Sequence, residues 1–180
     1  MSHGRAFKTA IQQSAPADPR VVLTRHRLGQ SLDFTITAPA LSGGLLSIAA
    51  QAKSTGGRQI PFRRLRRNHA RALKLRHRGG WCAGVLWHCR PVCRVLWIPL
   101  RAWVTVASQK AERGSISWEE ARRLRGAFTL RAGYGHGYDL KTFLIRLGAD
   151  LDGHGDQPGA DQSPLIGDDD LYAAALEATR

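Results

Sequence analysis

One stretch near the N-terminus alternates cleanly between apolar and polar positions. From Ser31 to Thr37, Leu32, Phe34 and Ile36 fall on one side and Asp33, Thr35 and Thr37 on the other, the period of a half-buried strand. Val21 to Thr24 supplies an earlier strand, so the pattern predicts a hairpin that turns near Gly29. Leu41 to Ala52 adds a third strand, with Gly43 and Gly44 as a bend and Ser54 to Gly57 as the closing loop. Ahead of these strands, residues 1–18 are polar and end between Pro16 and Pro19, which reads as a flexible lead-in.

The pattern changes after Pro61. Cations surround Leu65, Ala72 and Leu75, which predicts a basic helix over 63–78 with a thin apolar seam, ended by Gly79 and Gly80. Residues 81–107 are the least polar part, but Arg90, Arg94, Arg101, Pro91 and Pro99 interrupt them too often for a membrane span. Ser117-Trp118-Glu119-Glu120 has the spacing of a capping box and starts a helix predicted to reach Arg131, with Trp118, Ala121, Leu124 and Phe128 as its apolar stripe. Asp139 caps a second helix that buries Leu140, Phe143, Leu144 and Leu147 and stops at Gly148. The predicted architecture is α+β: a small N-terminal antiparallel sheet, a basic helix, a C-terminal helical pair and a mobile acidic tail. One domain covers 19–148, and the tail covers 149–180.

Charge sharpens this picture. The chain has 27 Lys and Arg against 14 Asp and Glu, for a formal net charge of +13. From Phe34 to Ala111 there is no acidic residue and there are fourteen basic ones, whereas Leu147 to Arg180 carries eight acids and one base. Cations without carboxylates beside them in sequence point to an external polyanion. Arginine outnumbers lysine 22 to 5, and guanidinium grips phosphate through two parallel hydrogen bonds.

The densest signal is Arg63, Arg64, Arg66, Arg67, Arg71, Lys74, Arg76 and Arg78, the footprint expected of phosphate-backbone contacts, with Arg122, Arg123 and Arg125 as a second patch. The predicted function is therefore non-enzymatic nucleic-acid binding, DNA or RNA, with the acidic tail able to fold back over the basic surface. The alternative is a peripheral membrane protein held on an anionic membrane surface by the Trp- and Arg-rich segment 81–107.

No motif names a reaction or a cofactor. Cys82, His88, Cys89 and Cys93 have the wrong spacing for a zinc site and read as small apolar groups. Asp150 to Asp161 matches a calcium loop poorly, because His154 and Pro158 interrupt its oxygen ligands. Gly133 to Tyr138 reads as a loop between helices rather than a phosphate nest, because Asp139 takes the cap an anion would need. Residues 139–150 resemble the second helix and turn of an ankyrin repeat, but one repeat cannot bury its own face and no function follows. An odd number of cysteines and no apolar leader favour a cytoplasmic location.

Overall fold

Strands with alternating inward and outward apolar residues need cover on both faces, and this chain supplies it with helices. The computed structural model describes residues 3–15, 18–27, 30–40, 43–130 and 137–154. Strands β1 (Val22–Arg25), β2 (Phe34–Pro39) and β3 (Leu45–Thr55) form the antiparallel meander that the alternation predicts. Ahead of β3, Gly43 and Gly44 have φ of 91° and 82°, a backbone that favours glycine.

The sheet is larger than predicted. Residues 81–107 fold into β5 (Cys82–Cys89), β6 (Arg94–Pro99) and helix α3 (Leu100–Gln109). With β8 (Phe128–Leu130) they complete a six-stranded mixed sheet ordered β1-β2-β3-β5-β6-β8. Among the described residues only β3 and β5 run parallel, and the basic helix α2 (Arg67–Arg78) lies between them in sequence. A smaller pair, β4 (Gln59–Pro61) and β7 (Ser115–Ser117), is antiparallel.

Each face of the sheet has its own core. On one face Ala49, Val85, Trp87, Leu96 and Ile98 pack with Leu73 of α2, Trp103 of α3, and Trp118. On the other, Ile36, Ile48, Leu86 and Trp97 pack with helices α1 (His3–Gln13) and α5 (Leu140–His154) through Phe7, Ile11, Phe143 and Leu147. Both faces are covered, so the central strands read as near-continuous apolar runs and hide their period.

Several expectations need correction. The first residues are not all lead-in: 3–13 form α1, because Phe7 and Ile11, four apart, put one apolar edge on the sheet. Among the described residues the helical pair is not present. The capping box forms as predicted, with Ser117 accepting from the Glu120 N–H, but it starts only the single-turn helix α4 (Trp118–Ala121). The chain then turns through Gly126 at φ 71° into β8, because Phe128 and Leu130 alternate onto the edge of β6. The last helix forms with Asp139 accepting from the Thr142 N–H at 2.9 Å, yet it passes Gly148 and continues to His154. The seam of α2 is Ala70 and Leu73, whereas Leu75 is 62% exposed. Residues 155–180, most of the acidic tail, and residues 131–136 lie outside the described residues.

Candidate nucleic-acid site

Asp33 directly precedes β2, where the β2–β3 register ends at Phe34 opposite Ala50. Its backbone N–H donates to Ala50 O at 3.2 Å, and its Oδ2 accepts the Ala52 N–H at 2.9 Å. The carboxylate is thus fixed over β3 rather than swinging in solvent. Lys8, from α1, donates to the other oxygen, Oδ1.

Gln51 and Lys53 lie two residues apart on β3 and share the face that carries α2. Gln51, fully buried, donates from Nε2 to Ser31 O at 2.7 Å, and its amide oxygen accepts from Lys53 Nζ at 2.8 Å. The same ammonium lies 3.3 Å from His69 Nδ1 on α2. Two polar side chains have therefore replaced apolar ones in the middle of a core strand, each with its hydrogen-bond partners in place.

Asp33, Lys53 and His69 reach a cavity of about 900 Å³, with the buried Gln51 amide behind Lys53. Lys8 and Gln12 of α1 form one wall, Arg25, His26 and Arg27 at the end of β1 another, and Arg63, Arg64, Arg66, Asn68 and His69 at the entry to α2 a third. Seven Lys and Arg side chains line it against one carboxylate, Asp33. Among the described residues no carboxylate pairs with Arg63, Arg64 or Arg66. A concave surface with this imbalance concentrates anions.

The field inside is visible in the titrating groups. Burial, reinforced by Lys8, Arg66 and Arg64 and opposed by Asp33, brings Lys53 down from its ordinary value to about 8. Burial and the adjacent Lys53 charge bring His69 down to about 4, so it is neutral at physiological pH and its Nδ1 accepts from Lys53.

The cations named from sequence do not act as one face. Arg63, Arg64 and Arg66 enter the cavity from the turn before α2. Arg67, Arg71, Lys74, Arg76 and Arg78 follow on α2 outside its lining, and Arg76 lies over the Trp81 ring at 4.6 Å. Arg122, Arg123 and Arg125 follow α4 in the turn to β8, with Arg122 held on Glu119 at 2.7 Å.

Sequence reasoning missed Asp33, Gln51, Lys53 and Lys8. A usable signal was present in Gln51 and Lys53, the spaced polar pair inside an otherwise apolar strand. Cys82 and Cys89 stand at opposite ends of β5, and no three His, Cys, Asp or Glu side chains converge among the described residues. Of the tryptophans in segment 81–107, Trp87, Trp97 and Trp103 are core residues at most 2% exposed, whereas Trp81 is only partly buried. Among the described residues no helix is long and apolar enough to cross a membrane. The chain matches no family model and no curated protein.

Proposed function

We propose that the protein acts on the phosphodiester backbone of nucleic acid, binding it in the cavity between α1 and α2 and hydrolysing it at the Asp33–Lys53 centre. The observation that carries this reading is the lone carboxylate held by a backbone N–H on the floor of a cavity with seven cations. Asp33 ties its turn to β3 and pairs with Lys8, and it is also an anion at the centre of the cavity. A hydrolytic centre does need one.

In that reaction a water oxygen bonds to phosphorus as a P–O bond to one sugar oxygen breaks. The attacking water gives up a proton and the leaving oxygen gains one. Asp33 is placed to accept a hydrogen bond from that water once Oδ1 is released by Lys8, and the Lys53 ammonium to neutralise charge developing on the phosphoryl oxygens. Arg63, Arg64 and Arg66, at the rim, hold flanking phosphates.

The test uses labelled single- and double-stranded DNA and RNA, with binding and cleavage read separately in Mg2+, Mn2+ and EDTA. Asp33→Asn is expected to bind as tightly as wild type or tighter, having lost the internal anion, and to cleave nothing. Absence of salt-sensitive binding would overturn the whole reading. Binding without cleavage in either metal would remove the hydrolytic step and leave backbone binding alone.

A further inference from the structure

We infer that Lys53 is also a nucleophile, whose amine captures the C1′ aldehyde of an abasic nucleotide in the cavity as a covalent imine. The inference rests on the backbone-binding part of the proposed function and does not depend on hydrolysis.

The hydrogen bonds around Lys53 match a neutral amine. An ammonium has three N–H groups to place, and the protein gives Nζ two acceptors, Gln51 Oε1 at 2.8 Å and His69 Nδ1 at 3.3 Å. Gln51 is held in that orientation, because its Nε2 donates to Ser31 O at 2.7 Å. Among the described residues no carboxylate pairs with Lys53, and the Asp33 oxygens accept from Lys8 and the Ala52 N–H instead. A neutral amine satisfies both acceptors with its two N–H groups, and its lone pair is left for the cavity that Lys53 lines.

Charge moves the amine toward the same form. Burial lowers Lys53 to about 8, with Lys8, Arg66 and Arg64 adding to the effect and Asp33 opposing it, while His69 beside it is neutral. At pH 7 about one amine in ten is then unprotonated, against about one in 3,000 for an ordinary lysine. A desolvated lysine next to other cations is a setting that activates an amine toward carbonyl carbon.

The lining selects the carbonyl compound. Its arginines call for phosphate, and an aldehyde flanked by phosphates arises in nucleic acid where a base has been lost and the sugar ring opens at C1′. The amine adds to C1′, and water leaves as the carbon–nitrogen double bond forms. Overall an ammonium and an aldehyde give an iminium and one water, so the positive charge remains where Lys53 held it.

The experiment incubates the full chain at pH 7 with an oligonucleotide carrying one abasic site and with sodium cyanoborohydride, which reduces an iminium to a stable secondary amine. Peptide mass mapping is expected to find the adduct on Lys53 about 100-fold above any of the other four lysines. An adduct on Lys8, or one spread evenly over the lysines, overturns the inference. Lys53→Arg keeps a cation but has no amine that forms an imine, and should lose the adduct. A Lys53→Arg protein that melts cooperatively and is captured as well as wild type overturns the inference too. An oligonucleotide with tetrahydrofuran at the same position has the same backbone and no aldehyde. If it binds in a salt-sensitive way while the abasic strand gives no adduct, the inference fails alone; if it does not bind, the backbone reading fails with it. Pyridoxal 5′-phosphate, a free aldehyde with one phosphate, separates the two sources of this chemistry: loading of Lys53 by it and not by the abasic strand overturns the assignment to nucleic acid.

Discussion

Replacing Lys53 by Met should stabilise the protein at neutral pH while removing its function. The fold holds an ammonium where burial lowers its pKa to about 8 from an ordinary value of 10.5. That difference corresponds to about 3 kcal/mol against the charged form in the folded state. Methionine removes the penalty, but it leaves Gln51 Oε1 and His69 Nδ1 without the donor they now share, at about 1 kcal/mol each. The net expectation at pH 7 is a gain of about 1 kcal/mol, or about 2–4 °C in Tm for a chain of this size.

The sign reverses with pH. Below pH 8 Lys53 is protonated in both states and wild type carries the whole penalty. Between 8 and 10.5 the unfolded chain binds more protons, so wild-type stability rises with pH. By pH 9.5 about 2 kcal/mol of the penalty is gone, and Lys53→Met should then be the less stable protein by about 1 kcal/mol. Denaturant melts of both proteins at pH 7 and 9.5, beside a nucleic-acid binding isotherm at pH 7, measure all of this. A difference in stability that stays the same at the two pH values would refute the argument that Lys53 is a buried cation kept for a ligand.

Three other outcomes are expected. Changing Arg63, Arg64 and Arg66 together to Gln should weaken DNA binding and flatten the logarithmic salt dependence by roughly 3, whereas changing Arg122 and Arg123 should alter that slope far less; a titration across salt concentrations compares them. Gly84→Ala places a Cβ 2.6 Å from Ile98 O and from the Trp97 ring, both buried, and should cost about 3 kcal/mol or prevent folding, as read by a thermal melt. His69, held near 4 when folded against an ordinary 6.5, leaves the unfolded state more protonated between those values. Stability should therefore fall as pH drops from 6.5 to 4, and His69→Gln should remove part of that fall, about 1 kcal/mol after allowance for solvent screening; melts that run parallel for both proteins would contradict it.

Local patterns carried a large part of the fold. Leu32, Phe34 and Ile36 alternate, so β2 and its hairpin were legible. Ser117 and Glu120 stand at capping distance, so the start of α4 was legible even though its length was not. Cations packed between Gly57 and Gly79 marked α2. Where both faces of an element are buried the local signal fails: Val85 to Trp87 and Leu96 to Ile98 are apolar without a period, so they look the same as strands or as an apolar segment at a membrane surface. Phe128 fitted a helix stripe as well as a strand, and the free edge of β6 decided between them.

Charge asymmetry and the lack of acids between Phe34 and Ala111 are properties of composition, and the sequence by itself determined them. Which cations share one cavity is a matter of placement in space. Lys8, Asp33, Lys53 and the Arg63, Arg64 and Arg66 cluster come from separate parts of the chain, and nothing in their local spacing ties them together. Only the β2–β3 register, the packing of α1 on one sheet face and the entry of α2 on the other bring them around one cavity. Electrostatic energy depends on distance and burial, so the choice of site was left to the tertiary structure.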